Sequence, residues 1–423
     1  MKGKLIVVLV LLGAHVVLAG GIVTNSNQSA QFVRTLSRNA STEIDATYFN
    51  PAGLTDLADG WHFALYNQTI FQEKTVTNNF QFLNQDEFVG EVNVPFFPNL
   101  YATFKQNKLA VSVGFGPNGG GGTAEYKSGL PSFEIPVSLA PLLANAQGYR
   151  SEISFNGSSV YYGFQANVAY ELTDRISLAV GGRYISAVNQ YEGSIKNIQL
   201  RFGDDYVPSG IPDAHVDVEQ TATGLTPVLG ANVKPLENLN IGLRYELNTG
   251  LEFTNATAMD GTDMFPDGAT FNNDIPAILS VGAEYAFMPQ FRGSVSFTNY
   301  FDKNANWEGR EELVDNNFME IGLGLEYDLT NALLISAGFL SSNTGVTEAY
   351  QTDISHSLSS NTIGFGLRYK LAGALAIDLG TLYTMYDESS REGMQMLPTG
   401  GIPYIETYNR SNVAIALGLG YSF

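Results

Sequence analysis

At the C-terminus, Val413, Ile415, Leu417, Leu419, Tyr421 and Phe423 alternate with Asn412, Ala414, Ala416, Gly418, Gly420 and Ser422. The same period of two recurs as Ile321, Leu323, Leu325, Tyr327 opposite Gly322, Gly324, Glu326, Asp328, and as Ile363, Phe365, Leu367, Tyr369 opposite Gly364, Gly366, Arg368, Lys370. Strict alternation predicts β-strands with one apolar face and one small or charged face. Alternation alone suits a water-soluble sandwich and a membrane barrel equally. Length and glycine separate them. The runs exceed the about 5–6 residues of ordinary strands and match the about 9–11 that cross a bilayer when tilted. Glycine on the non-apolar face suits a crowded interior.

Six short connections separate such runs: 105–108, 172–175, 234–238, 287–290, 328–331 and 370–373. Each predicts an antiparallel hairpin. With one strand before them (roughly 61–71) and one after (409–423), the total is fourteen. An even number with both ends at the short turns is the arrangement of a bacterial outer-membrane barrel. The opposite connections are long and polar, at roughly 76–93, 118–157, 193–217, 255–273, 304–316, 345–357 and 389–408. Tyr170, Tyr285, Tyr327, Tyr369 and Tyr421 each stand two residues before an apolar residue at a short turn or at the chain end. They are read as an interfacial girdle rather than as ordinary strand tyrosines. Terminal Phe423, after apolar residues at every second position, resembles the signal read by the barrel-assembly machinery.

The first nineteen residues differ from the rest. Lys2 and Lys4, the apolar stretch Leu5–Leu12 and the small-residue site Val17-Leu18-Ala19 predict an export signal over 1–19. No later segment is apolar enough for a membrane helix, so a membrane location requires a closed barrel. Residues 20–60 lack alternation, carry a turn at Pro51 and Gly53, and are expected in the periplasm or inside the lumen, with the barrel at 61–423.

Composition narrows the function. The 423 residues carry 22 basic and 42 acidic side chains, a net charge of −20 that excludes nucleic acid as a partner. With no cysteine there is neither a disulfide framework nor a thiolate metal site. His62, His215 and His356 are scattered, and no nucleophile elbow, zinc spacing or phosphate loop occurs, so no catalytic residue, metal or cofactor is expected.

The segment Thr47-Tyr48-Phe49-Asn50-Pro51-Ala52-Gly53-Leu54, followed by fourteen strands and Phe423, resembles the FadL/TodX family of outer-membrane transporters for hydrophobic compounds. Asn50, Pro51 and Ala52 match that family's hatch motif. The resemblance implies an all-β fold, a 14-stranded antiparallel transmembrane barrel with an N-terminal hatch plugging the lumen, in the outer membrane of a Gram-negative bacterium. It implies passive uptake of long-chain fatty acids or other apolar molecules, released sideways at a kinked third strand. The partners expected are those molecules, outer-membrane lipid and lipopolysaccharide, and the assembly machinery, for a monomeric chain. The alternative is a porin-like channel for small polar solutes, against which a plug over 20–60 argues.

Three sets of residues are candidates for that function. Strand three, from about Lys108 to Gly116, ends in Pro117 and Asn118 and then Gly119, Gly120, Gly121 and Gly122, where lost donors and side chains predict failed pairing or the start of an extracellular loop. In the following loop, Val137, Leu139, Leu142 and Leu143 form an apolar segment interrupted by Pro141, suited to a capture groove or to a lid packed into the barrel mouth. Arg183, Arg244, Arg292 and Arg368 alternate with apolar neighbours and so face the lumen, as candidates for a substrate carboxylate. Glu171, Glu246, Glu284, Glu326 and Asp378 share that face, which makes internal salt bridges the other use.

Overall fold

The computed structural model describes residues 24–261, 264–371, 374–397 and 400–423, without the side chain of Leu143. The expected leader at 1–19 lies outside the described residues, as do Ala372 and Gly373 of the last short turn.

Fourteen strands form the wall: β1 (Gly60–Asn78), β2 (Glu87–Gln106), β3 (Leu109–Tyr126), β4 (Gly148–Thr173), β5 (Ile176–Phe202), β6 (Ala214–Leu236) and β7 (Leu239–Glu246), then β8 (Ile278–Met288), β9 (Phe291–Tyr300), β10 (Phe318–Asp328), β11 (Leu333–Asn343), β12 (Ser360–Lys370), β13 (Leu375–Tyr386) and β14 (Gly400–Ser422). Each is antiparallel to the next, and β14 pairs back onto β1 from His62↔Ser422 to Asn78↔Glu406. Trp61 and Phe423 seal the seam by exchanging backbone hydrogen bonds of 2.8 and 3.0 Å. Closure removes every free sheet edge, the condition for crossing a membrane with strands. Short strands at 205–208, 252–260, 270–272 and 389–397 belong to the outer loops.

The strand count agrees with the turns, but the outer strand ends lie further along the chain than alternation indicates. β4 has 26 residues and β5 has 27, so much of 118–157, 193–217 and 389–408 is ladder rather than loop. Beyond the bilayer both faces meet water or other loops, so the apolar period fades while the backbone bonds continue.

Leu323, Leu325, Ile415 and Leu417 are exposed on the outside of the ring, and Tyr170, Tyr285, Tyr327, Tyr369 and Tyr421 are exposed beside the short turns. Such an apolar band would be insoluble unless lipid covered it. Their partners in the alternation line an interior that is filled.

The filling is residues 24–59. Ser29 caps helix α1 (Ala30–Thr35) by accepting from Phe32 N at 2.9 Å. A second short helix, α2 (Ala46–Phe49), leads into a 3-10 turn at Pro51–Asp56. Between them Asp45 accepts from Ser29 Oγ (2.9 Å), Ser41 Oγ (2.6 Å) and both Nε (2.9 Å) and Nη2 (2.8 Å) of Arg38. This buried carboxylate ties the hatch to itself, and Phe32 stacks on Phe49 at 5.5 Å.

Wall glycines explain how the hatch fits. A Cβ at Gly322 would collide with Leu36 O, at Gly338 with Thr35 O, and at Gly242 with Asn39 O. The glycine face expected to line a crowded lumen lies against hatch backbone.

Candidate functional site

The hatch is held to the wall by buried charge. Arg34 of α1 is fully buried, paired to Glu326 and, at 3.1 Å, to Asp378. Arg368 pairs with the same Asp378 at 2.9 Å and with Glu43 of the hatch. Burial pushes the Glu43 carboxyl up, but the guanidinium groups of Arg368, Arg38 and Arg34 outweigh it and hold Glu43 well below the ordinary carboxylate range. Arg292 reaches Glu326 at 2.7 Å and Asp328 at 3.3 Å. Arg183 pairs with Glu246 at 2.7 Å and donates to Gln165 Oε1 at 2.9 Å. Arg244 lies 3.2 Å from Glu246 and donates to Tyr48 O and, at 3.1 Å, to Ser280 Oγ. The Tyr48 ring is clasped between Arg183 and Arg244, 4.7 and 4.6 Å from its centroid.

All four arginines weighed for a substrate carboxylate therefore face the lumen, and each already meets a carboxylate of the protein. The geometry favours the salt-bridge use, because a guanidinium left unpaired in so dry a site would be costly. Arg34 and Glu43 were not legible as partners of the wall, since nothing local marks a charge whose counter-ion stands some 300 positions away. The excess of wall carboxylates and arginines on one face was the available signal.

The hatch motif sits at the base of this network. Asn50 Nδ2 donates to Ser41 O (3.0 Å) and to Asn232 Oδ1 of β6 (2.8 Å). Pro51 starts the 3-10 turn, where its missing N–H costs nothing, and Ala52 packs fully buried against Gly230.

One ladder of the wall is interrupted. Ladder pairing between β2 and β3 runs from Gln106↔Leu109 to Leu100↔Phe115, stops, and resumes only at Val92↔Ala124. Across that break β3 stays paired to β4, with register shifts at Pro117/Gly119 and Gly120/Gly122. Pro117 and the glycines therefore lie within the strand Leu109–Tyr126 rather than in a loop. Pro95 and Pro98 on β2 also lack donors, and Phe96, 79% exposed, faces outward at the same height. These two prolines were missed, although prolines inside a strand are the ordinary mark of an edge or a bulge. The freed backbone of β3 turns to the hatch: Asn25 N donates to Asn118 O at 3.0 Å, and Gln28 Nε2 donates to Pro117 O at 2.7 Å.

Two apolar clusters flank this break. Outside, Leu130 and Phe133 pack with Tyr126, Phe155, Tyr191 and Phe265. Inside, Phe32, Leu36, Tyr48 and Phe49 of the hatch pack with Ile70 and Phe97. Val94, on the unpaired stretch of β2, packs against both clusters. The apolar loop segment forms two short helices, α3 (Pro131–Ser138) and α4 (Ala140–Ala144). Val137 is buried with Tyr149, Ile198 and Leu200, Leu139 is half-buried and Leu142 is exposed, so the helices lie as a cover on the extended β4–β5 hairpin. The Leu143 side chain lies outside the described residues.

The result is a stoppered barrel whose β2–β3 ladder is interrupted beside two apolar clusters. Neither a family model nor a curated protein sequence matches the chain. Solved structures do. A FadL homologue of Pseudomonas aeruginosa aligns with TM-score 0.69 and 13% identity over 95% of this chain and 100% of that one. The toluene transporter TodX of Pseudomonas putida aligns with TM-score 0.61 and 15% identity over 95% and 99%. The toluene transporter TbuX of Ralstonia pickettii gives 0.58 and 16% over 90% and 94%. The fold is that of the FadL/TodX family, as the segment Thr47–Leu54 implied.

Proposed function

We propose that this chain carries hydrophobic molecules passively through the outer membrane of a Gram-negative bacterium, after removal of a leader at 1–19. A molecule enters under α3, passes Val94 and leaves sideways into lipid between β2 and β3. The carrying observation is the break in the β2–β3 ladder, flanked by two apolar clusters that meet at Val94. Transfer of an alkyl chain or aromatic ring from water into this route is driven by burial alone, at about 0.8 kcal/mol per methylene. Sideways exit keeps the cargo out of water on the periplasmic side. Long-chain fatty acids and small aromatic hydrocarbons are the two cargo classes, the second supported by the toluene transporters that share the fold. The reading is of a transporter, not an enzyme. A porin-like channel fits less well, because residues 24–59 occupy the lumen.

The break supplies its own test. A Cβ at Gly122 would lie 3.7 Å from Val94 Cβ, close to the about 3.8 Å of a disulfide, in a chain with no native cysteine. Val94→Cys with Gly122→Cys is expected to cross-link across the break and abolish uptake when oxidised, with recovery on reduction. Undiminished uptake by fully cross-linked protein, judged by gel mobility, would remove the lateral exit.

A further inference from the structure

Above the apolar band the wall runs on into hairpins, and one of them carries two methionines side by side. Its first strand, Ser389–Leu397, pairs antiparallel with the outer end of β14, with Met394 opposite Pro403 and Met396 opposite Gly401. β14 reaches this height only after its lipid-facing alternation, Val413 to Phe423, has ended. That run already supplies the about 9–11 residues a tilted strand needs to cross a bilayer. The hairpin therefore stands in water beyond the lipid.

Successive side chains of a strand point to opposite faces, so Glu392, Met394 and Met396 share one face and are its exposed positions. Arg391 lies on the other face, paired with Glu406 at 3.3 Å. Met394 and Met396 are 60% and 58% exposed, although burying such a side chain is worth about 1.5–3 kcal/mol. Exposed apolar side chains of the band meet acyl chains, whereas these two meet water. Their sulfurs converge. A Cβ at Gly401 would lie 3.3 Å from Met396 Sδ and closer still to Met394 Sδ, so the two thioethers stand within about 6 Å of each other over one bare glycine. The turn does not require that glycine for its backbone, because the left-handed conformation falls on Gly400, at φ 135°. What Gly401 provides is the open space between the sulfurs.

A thioether is a soft, polarizable donor that selects soft cations such as Cu(I), whereas carboxylate and carbonyl oxygens suit Mg²⁺ and Ca²⁺. Among the described residues no group of three His, Asp or Glu side chains could hold a metal ion, so no oxygen- or imidazole-rich site competes. A metal–sulfur bond is about 2.3 Å, so one ion held between two sulfurs needs them about 4.5 Å apart, a small movement for a side chain with three rotatable bonds. Glu392, two positions before Met394 on the same face, adds negative charge beside the pair.

We propose that Met394 and Met396 form a surface site for one soft monovalent cation, Cu(I) or Ag(I), held between their sulfurs over Gly401. The site shares no residue with the hatch or with the β2–β3 break and is independent of the transport reading.

The test uses the full processed chain in nanodiscs and chloride-free buffer, with Ag(I) as the probe and methionines labelled with carbon-13 at the methyl group as reporters. One equivalent of Ag(I) is expected to bind and to shift the methyl signals of Met394 and Met396, leaving that of Met259, exposed on another strand of the outer loops, in place. Cu(I) kept reduced with ascorbate is expected to displace it, and excess Ca²⁺ is not. Met394→Leu and Met396→Leu keep the size and apolarity of each side chain, and each is expected to weaken Ag(I) by about tenfold or more. Gly401→Val, which fills the space between the sulfurs while leaving both in the chain, is expected to weaken it as well. Heat-modifiable gel mobility confirms a folded barrel in every variant. Ag(I) binding undiminished in both leucine variants, shifts spread equally over Met259, or displacement by Ca²⁺ overturns the thioether site. Binding unaltered by Gly401→Val overturns the seat over that glycine.

Discussion

Gly338 stands on β11 where Thr35 and Leu36 of the hatch press on the wall, and no side chain has room there. Gly338→Leu is expected to push the hatch off the wall, since overpacking costs about 1–3 kcal/mol or more. The readout is single-channel conductance in a planar bilayer, with steps absent from wild type appearing in a barrel that still folds. A second residue-scale expectation concerns Asp302, in the loop after β9. Burial raises its carboxyl to about 7, although Phe318 N donates to it at 2.8 Å. The folded loop therefore holds a proton that the unfolded chain releases near pH 4, and ionisation destabilises the loop as pH rises from about 4 to 7. Hydrogen exchange over 301–317, corrected for its intrinsic pH dependence, is expected to show protection falling by about tenfold or more across that window and levelling off above it. Asp302→Asn is expected to flatten the profile, and an unchanged slope in that variant would assign the effect elsewhere.

Among elements, the hatch turn and the third strand depend on each other. Asn50 bridges the hatch to β6, while Gln28 and Asn25 bond backbone groups of β3 where its ladder to β2 is interrupted. Asn50→Ala with Pro51→Ala removes two buried bonds and the preset turn, at about 2–4 kcal/mol of hatch docking. Uptake is expected to fall several-fold while the barrel keeps its heat-modifiable mobility; unimpaired uptake would take the motif out of the mechanism. Pro95, Pro98 and Pro117 lack donors on both sides of the break, and the hatch satisfies acceptors on Pro117 and Asn118 that would otherwise be orphaned in the barrel interior.

For the whole molecule, internal charges lock the hatch to the wall, and the β2–β3 ladder is interrupted between two apolar clusters. Affinity for a homologous series of alkyl acids is expected to increase about threefold to fourfold per methylene until the route is filled, then level off. Titration calorimetry from hexanoate to palmitate measures this, and equal affinity along the series would refute binding by burial.

How much of this was legible follows from the range over which each interaction acts. Alternation along Asn412–Phe423, the short turns and the tyrosines beside them are local, and a period of two has one physical meaning when strands are this long. The fourteen-stranded wall and its inside and outside were therefore readable without coordinates, whereas the plug over the non-alternating N-terminal segment was implied only by the resemblance carried by Thr47–Leu54. Strand ends beyond the bilayer were not, because a ladder bond leaves no trace in side chains that meet water on both faces. Nor were the partners of the lumen charges: Arg183, Arg244, Arg292 and Arg368 share one facing, and nothing along the chain assigns each its carboxylate. Barrel closure and the seat of the hatch alone decide which carboxylate neutralises which of these cations, since a counter-ion is chosen by proximity in space.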